Sequence, residues 1–141
     1  MNNYLLDTNV VSEMRKIQSG RADSGVVTWA ASVPVAALYL SVITLQELEI
    51  GVLLAQRRDV AQGALLGQWF EQRVLPAFSG RILPIDSSIA RRSAALHVPN
   101  PRPFRDSLIG ATALVHGMTM VTRNTADFQS FELELLNPWA G

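Results

Sequence analysis

Short apolar runs that stop abruptly at polar or acidic residues recur along this chain of 141 residues. The first run covers 4–6 and ends at the polar cluster Asp7-Thr8-Asn9. Runs rich in β-forming residues predict four further strands, at 38–43, 81–85, 118–121 and 133–136. Most of the runs lead into polar residues typical of a helix start, so we expect strands that pass directly into helices.

Between the strands, apolar positions recur at helical spacing. The predicted helices cover 9–16, 26–32, 44–56, a stretch from 60 that ends at Pro76, 89–96 and 104–116. Three prolines between 99 and 103 predict an extended loop, and Gly117 suits the left-handed position that closes a helix. The alternation predicts an α/β fold, a mostly parallel central sheet of about five strands flanked by helices. Without repeats or a linker, one domain over 1–141 is expected.

The composition of the chain limits the kinds of site and the cellular location that are expected. It carries 12 basic and 12 acidic residues and no cysteine, which rules out a disulfide framework or a thiolate metal site and favours a cytoplasmic location. Residues 24–46 lack charge, but Pro34 and several hydroxyl residues interrupt them. A helix that ends near Pro34, followed by a strand, explains this stretch better than a membrane span, so no membrane partner is expected.

Acidic residues lie at or just after several predicted strand ends. Because parallel strands bring their carboxyl ends to one edge of a sheet, these side chains are expected to converge there. Clustered carboxylates repel one another unless a hard cation lies among them, and oxygen-only ligands suit Mg²⁺ or Mn²⁺. Such a site favours hydrolysis of phosphodiester bonds. The candidate acids are Asp7, Glu47, Asp86, Asp106 and Asp127.

Each candidate also has a purely structural interpretation. Asp7 could cap the helix over 9–16, and Glu47 stands three residues after Thr44 in the pattern of a capping box. Asp106 could interact with the dipole of its own helix, and Asp127 could cap a turn at 125–131. For Asp86, which precedes Ser87-Ser88, we keep only the cap.

Other site chemistries find little support in the sequence. His97 and His116 lack paired ligand spacing, and no glycine-rich phosphate loop is present. A phosphoaspartyl site at Asp7 is disfavoured because position 9 is Asn. The arginines are more informative: Arg105 and Arg123 adjoin proposed acids and Arg102 lies in the nearby loop, so these three could contact an RNA backbone or simply face solvent.

Four sequence blocks together resemble the signature of the PIN domain family, and more narrowly the VapC-type toxins of type II toxin–antitoxin systems, including the branch similar to FitB. The blocks occur in the family's order across nearly the whole chain. They are Leu5-Leu6-Asp7-Thr8-Asn9-Val10, Ile43-Thr44-Leu45-Gln46-Glu47-Leu48-Glu49-Ile50-Gly51, Arg105-Asp106-Ser107-Leu108-Ile109-Gly110-Ala111-Thr112-Ala113 and Thr122-Arg123-Asn124-Thr125-Ala126-Asp127-Phe128.

The resemblance implies an endoribonuclease that depends on Mg²⁺ or Mn²⁺. Its catalytic and metal-binding acids would be Asp7, Glu47, Asp106 and Asp127. Asn9 and Thr122 would support these ligands, with Asn124 close by. The third block departs mildly from the family pattern at Ser107 and Gly110, and neither change removes a ligand.

The resemblance also implies partners: an RNA substrate, a cognate antitoxin that binds operator DNA, and a second copy of the chain in a homodimer. A basic or aromatic residue of the antitoxin would fill the acidic site. The leading hypothesis is therefore a ribonuclease toxin neutralised by its antitoxin. The alternative is a dimeric partner in an antitoxin–DNA complex with weak or vestigial nuclease activity.

Overall fold

A computed structural model describes residues 2–140, so the two end residues of the predicted domain over 1–141 lie outside the described part. Five strands form one sheet in the order β3-β2-β1-β4-β5, and every neighbouring pair is parallel. This confirms the predicted α/β class. The strands are β1 (Tyr4–Leu6), β2 (Leu38–Ser41), β3 (Ile82–Leu83), β4 (Thr119–Val121) and β5 (Leu135–Leu136).

The helices lie where the helical spacing predicted them, with shifted ends. They are α1 (Thr8–Met14), α2 (Ser24–Ser32), α3 (Val42–Arg58), α4 (Val60–Trp69), α5 (Leu75–Ala77), α6 (Ser87–Leu96) and α7 (Phe104–His116). Asp86 caps α6 by accepting a hydrogen bond of 2.9 Å from the backbone N–H of Ile89, and Gly117 closes α7 at φ 64°. Both of these predictions are confirmed.

One boundary error of the sequence analysis, of two residues, lies next to the site, at the junction of β2 and α3. We predicted a strand to residue 43 and a helix from Thr44, but the helix begins at Val42. The reason is Ser41, whose side-chain oxygen accepts a hydrogen bond of 3.0 Å from the backbone N–H of Ile43 and so caps the helix earlier. Strands β3, β4 and β5 are likewise shorter than their apolar runs.

Helices α3 and α4 pack against each other as a hairpin. Asp59 separates them and caps α4 through hydrogen bonds from the backbone N–H groups of Ala61 and Gln62. After α4 the chain makes a π-helical turn over Phe70–Val74 and continues to Ala77, one residue beyond the predicted end at Pro76.

Apolar side chains cover both faces of the sheet because successive residues of a strand point to opposite faces. Leu6 packs on one face with Val10, Leu40 and Phe70, and Leu5 packs on the other with a second buried group. Strands β1 and β4 are therefore held from both sides, and their carboxyl ends open next to each other at Asp7 and Thr122.

The uncharged stretch at 24–46 divides into α2, a short 3₁₀ turn, β2 and the start of α3. None of the helices within residues 2–140 combines the length and the apolar character that crossing a bilayer requires.

Candidate active site at the carboxyl edge of the sheet

Asp7 lies at the centre of the candidate site, directly after β1, and is 1% exposed. One carboxylate oxygen, Oδ1, accepts a hydrogen bond of 2.8 Å from the backbone N–H of Thr8, so Asp7 caps α1. The other oxygen, Oδ2, accepts a hydrogen bond of 2.8 Å from the hydroxyl of Thr122 at the end of β4. The two interpretations of Asp7 are therefore compatible: it caps a helix and faces the neighbouring acids.

Arg105, in the first turn of α7, joins three of the predicted site acids. Its Nη2 lies 2.5 Å from Asp7 Oδ1, its Nε lies 2.6 Å from Glu47 Oε2 and its Nη1 lies 3.1 Å from Asp106 Oδ1. A fourth contact of 3.0 Å joins Nη2 to Glu47 Oε1. The planar donor fork of arginine suits such multiple pairing. Because one positive charge faces three carboxylates, the group keeps an excess of negative charge.

Glu47 reaches this group from the second turn of α3. Besides Arg105, its carboxylate accepts a short hydrogen bond from the hydroxyl of Thr8. The capping-box interpretation with Thr44 is wrong, because α3 is capped by Ser41 and Thr44 is buried within the helix. Because Ser41 caps the first turn of α3, the carboxylate of Glu47 is not needed there and contacts Thr8 and Arg105 instead.

Asp106 and Asp127 complete the predicted set from two other elements. Asp106 lies beside Arg105 on α7, with a side chain that is 14% exposed. Asp127 ends a 3₁₀ turn over Thr125–Asp127 and is exposed. Its negative charge is felt at Asp106, where it helps to raise the pKa of that carboxyl. Asp127 therefore lies at the rim of the site, whereas Asp7, Glu47 and Asp106 share one guanidinium.

The surroundings shift the pKa values of Asp106, Glu47 and Arg105 in different directions. Burial raises the pKa of Asp106, and the nearby charges of Asp127 and Asp7 add to that effect against the hydrogen bond and charge of Arg105. Burial alone would also raise the pKa of Glu47, but hydrogen bonds from Arg105 and Thr8 outweigh it and hold that pKa below its ordinary value. Burial acts against the charged form of Arg105, yet its hydrogen bond to Glu47 and the charge of Asp7 raise the pKa of the guanidinium.

The polar residues that the resemblance assigned to supporting roles lie around Asp7. Thr122 is buried, and its hydroxyl accepts a hydrogen bond of 3.0 Å from the backbone N–H of Asn124 while it donates to Asp7. Asn9 accepts a bond of 3.3 Å from the backbone N–H of Arg123. Together these bonds tie the segment after β4 to α1, and so fix the two walls of the site.

The other two candidate arginines flank aromatic rings. The guanidinium of Arg123 lies 5.2 Å from the ring centre of Trp139, and that of Arg102 lies 6.0 Å from the ring centre of Phe131. Both distances fit a cation–π contact, which orients an arginine without neutralising its charge.

Sequence reasoning missed a second polar network beneath Asp106. Ser107 donates to the carbonyl of Phe104, which leaves its oxygen to accept from His97 Nε2 at 2.9 Å. His97 Nδ1 then accepts a bond of 3.3 Å from the backbone N–H of Arg102. His97 thus fastens the proline loop to the start of α7. The only signal of this network in the sequence was the departure from the family pattern at Ser107. The sequence does not show that its partner is His97, which lies ten residues earlier.

The donor set of this site consists of carboxylate and hydroxyl oxygens, the ligand type that hard divalent cations select. Among residues 2–140, no three Asp, Glu, His or Cys side chains are arranged so that they could already hold a metal ion. Arg105 instead acts as a stand-in cation between Asp7, Glu47 and Asp106. The oxygen ligands therefore suit a divalent cation, and in this structure the guanidinium of Arg105 supplies the positive charge among them.

Known proteins share both this sequence and this fold. The PIN domain matches residues 4–132. The chain is 37% identical over 143 residues to VapC ribonuclease Y4jK from Sinorhizobium fredii, with 96% of each chain covered. It is 38% identical over 143 residues to Toxin FitB from Neisseria gonorrhoeae, covering 96% of this chain and 97% of that one.

Solved structures extend the similarity to three dimensions. A structure of FitAB bound to an IR36 DNA fragment matches with a TM-score of 0.86 and 35% identity, covering 96% of this chain and 95% of that one. A toxin–antitoxin complex from Klebsiella pneumoniae matches with a TM-score of 0.67 and 29% identity, with coverages of 96% and 98%. The chain belongs to the PIN domain family.

Proposed function

We propose that this chain is a divalent-metal-dependent endoribonuclease of the VapC type, the toxin of a toxin–antitoxin pair. The observation that carries the proposal is the convergence of Asp7, Glu47 and Asp106 on a single cationic group at the carboxyl edge of a parallel sheet. The ribonuclease named among the relatives, at 37% identity over nearly the full chain, supports the reaction class.

In this proposal, Asp7, Glu47, Asp106 and Asp127 hold Mg²⁺ or Mn²⁺. When bound, the cation supplies charge stabilisation at the phosphate and makes a water a better nucleophile. The chain's own residues orient the ligands. Thr122 fixes the rotation of the Asp7 carboxylate and Thr8 holds that of Glu47, as hydrogen-bonded neighbours of metal ligands commonly do.

Arg102, Arg105 and Arg123 are proposed to contact the RNA backbone. Arg102 and Arg123 lie against aromatic rings and keep their charge available for phosphate oxygens. In this structure the guanidinium of Arg105 is engaged by carboxylates, so its contact with RNA requires that it leave them.

The partners proposed for the chain are a cognate antitoxin, operator DNA through that antitoxin, and a second copy in a homodimer. The DNA-bound FitAB structure and the toxin–antitoxin complex from Klebsiella pneumoniae support the first two. We place the pair in the cytoplasm, where RNA and operator DNA are both accessible.

A second function has one specific observation in its favour. Arg105 bridges three acids, so the charge of these carboxylates is already partly balanced without a metal ion. The chain would then serve mainly as the dimeric partner of an antitoxin on DNA, with weak or vestigial nuclease activity.

RNA cleavage by purified, antitoxin-free protein distinguishes the two functions. The assay compares the wild type with Asp7→Asn and with Asp86→Asn, which alters an acid that caps α6. The proposal expects cleavage by the wild type and by Asp86→Asn in Mg²⁺ or Mn²⁺, and a loss of about a hundredfold or more in Asp7→Asn. Folded wild type without cleavage of any cellular RNA would favour the second function.

A further inference from the structure

The guanidinium of Arg105 and the proposed divalent cation need the same oxygen atoms. Asp7 Oδ1 accepts hydrogen bonds from the backbone N–H of Thr8 and from Arg105 Nη2. Glu47 Oε1 accepts from the hydroxyl of Thr8 and from Arg105 Nη2. Each carboxylate oxygen offers about two acceptor positions, so both positions of each oxygen are taken while Arg105 is in place.

The other oxygens are less fully used, and for them the charge of Arg105 decides. Asp7 Oδ2 accepts one hydrogen bond from Thr122, Glu47 Oε2 accepts one from Arg105 Nε, and Asp106 Oδ1 accepts one from Arg105 Nη1. A cation among these three carboxylates would also face the positive charge of Arg105 at close range. Like charges at such distances in a partly buried site repel strongly, so the two cations exclude each other.

We propose that Arg105 is a built-in competitor for the cation site, and that Mg²⁺ or Mn²⁺ binds only by displacing its guanidinium from Asp7, Glu47 and Asp106. This inference rests on the proposed function and adds to it the residue that sets the apparent metal affinity. One third of the Arg105 side chain is exposed to solvent. The side chain therefore lies at the edge of the site, and the proposal expects its guanidinium to leave without unfolding of α7.

Calorimetric titration with Mg²⁺ tests the competition on the intact protein in the absence of RNA. Removal of the competing charge in Arg105→Gln is expected to raise Mg²⁺ affinity by roughly tenfold or more, since charge-assisted hydrogen bonds no longer have to be broken. Arg105→Lys keeps the charge but lacks the fork, and an affinity between those of the wild type and Arg105→Gln is expected.

Arg123→Gln is the matched control, because it removes the same positive charge from the protein at a position that does not pair with the three acids. Its backbone N–H bonds to Asn9 beside Asp7, and its guanidinium lies over Trp139 and forms no ion pair with the three acids. Competition predicts that Arg123→Gln binds Mg²⁺ within about twofold of the wild type. An equal gain in Arg123→Gln and Arg105→Gln would overturn the proposal, because it would reduce the effect to net charge.

A nuclear magnetic resonance measurement follows Arg105 directly. Its Nε–H donates to Glu47 Oε2 at 2.6 Å, so the proton should exchange slowly in the metal-free protein. Displacement predicts that saturating Mg²⁺ shifts this signal and accelerates its exchange with water. Saturable Mg²⁺ binding with an unchanged Arg105 Nε–H signal would contradict displacement while leaving the metal-dependent function intact.

The remaining outcomes separate the two proposals. Equal Mg²⁺ affinity of the wild type, Arg105→Lys and Arg105→Gln would overturn the competition alone. Mg²⁺ binding by Arg105→Gln but not by the wild type would support it in its strongest form. If none of the variants binds Mg²⁺ or Mn²⁺, there is no cation site, and the metal-dependent function fails together with the competition. Arg105→Lys preserves this test if Arg105→Gln does not fold.

Discussion

At the scale of single residues, the hydroxyl of Thr122 makes two hydrogen bonds that hold the site together. Its buried hydroxyl donates to Asp7 Oδ2 and accepts from the backbone N–H of Asn124, so it links the end of β4 to the central acid. Asp7 in turn caps α1. A single hydroxyl therefore connects the orientation of a candidate ligand with the folding of the segment that follows β4.

Thr122→Val tests this link because valine keeps the shape and loses the hydroxyl. The change leaves a buried carboxylate oxygen and a backbone N–H without their partner, which should lower the free energy of unfolding by about 1–3 kcal/mol. Metal affinity should fall by roughly tenfold to a hundredfold. Urea denaturation and calorimetry measure the two effects.

Thr119→Val, at the start of β4, is the control for Thr122→Val, which lies directly after the end of that strand. The hydroxyl of Thr119 donates to Glu134 at an exposed position, 3.2 Å away. We expect a change in unfolding free energy within about 0.5 kcal/mol and unaltered metal binding. Equal effects of the two substitutions would show that Thr122 has no special role.

Arg123 carries a prediction about RNA. Its backbone N–H bonds to Asn9, and its guanidinium lies over Trp139, where the proposal has it pair with a phosphate. Arg123→Gln should weaken RNA binding of the catalytically inactive Asp7→Asn protein and reduce the slope of log affinity against log salt by about 1. Filter binding at several salt concentrations gives both values. An unchanged slope would mean that Arg123 faces solvent.

The convergence of Asp7, Glu47 and Asp106 could be predicted from the sequence, but their shared contact with Arg105 could not. Asp7 and Asp106 stand in recognisable positions relative to strands and helices, and their convergence follows from a parallel sheet. Arg105 is adjacent to Asp106 in sequence, and nothing in that spacing tells that its long side chain turns back towards α3 and β1. Its role depends on three elements that only tertiary folding brings together.

At the scale of elements, substitution of two glycines in the α3–α4 hairpin by alanine should change the stability of the protein in opposite directions. A Cβ at Gly63 would lie 2.3 Å from the backbone Cα of Gln56, whereas a Cβ at Gly51 would meet nothing within 4 Å. Gly63→Ala should therefore destabilise the protein by about 1–3 kcal/mol. Gly51→Ala should stabilise it by roughly 1 kcal/mol, because alanine favours a helix.

Thermal denaturation of both glycine variants provides the comparison. The close approach of α3 and α4 at Gly63 is supported if only Gly63→Ala lowers Tm. If Gly63→Ala is as stable as the wild type, the two helices do not pack as closely as the structure has them.

Glu13 connects α1 to α2 and should make this connection dependent on pH. The backbone N–H of Asp23, the cap of α2, donates to its carboxylate, and Lys16 pairs with it at 3.1 Å. These bonds hold the pKa of Glu13 below its ordinary value. A lowered pKa contributes stability that is present above the ordinary value and is lost as the pH falls through the lowered one.

Glu13→Gln should accordingly lower Tm at about pH 7, and the difference should shrink as the pH falls through the lowered pKa of Glu13, where the wild-type carboxylate becomes protonated as well. Paired melting curves across this range provide the test. A difference in Tm that stays constant with pH would assign the contribution of Glu13 to packing instead of charge.

The errors in element boundaries have a common cause. Apolar runs such as 38–43 indicate burial, and both a strand and the first turn of a buried helix satisfy that pattern. At Ser41 the side-chain cap decides between them. The competing capping box at Thr44 and Glu47 has the same appearance in sequence, and it is not used because Ser41 caps the helix first and Glu47 contacts Arg105.

At the scale of the whole molecule, the fold was the most predictable property. The alternation of strands and helices suffices for a parallel α/β sheet, since helices must cover both faces of such a sheet. The strand order β3-β2-β1-β4-β5 places β1 and β4 side by side. This order creates the site, because it brings Asp7 and Thr122 within hydrogen-bonding distance from positions 115 residues apart.

The most direct test of the central claim combines metal binding and cleavage in one buffer. Mg²⁺ and Mn²⁺ titrations of antitoxin-free wild type and Asp106→Asn are followed by RNA cleavage with and without a chelator. The account predicts that Asp106→Asn loses both metal binding and cleavage, and that the chelator abolishes cleavage by the wild type. Cleavage that survives the chelator, or an Asp106→Asn protein as active as the wild type, would contradict a metal-dependent nuclease at this site.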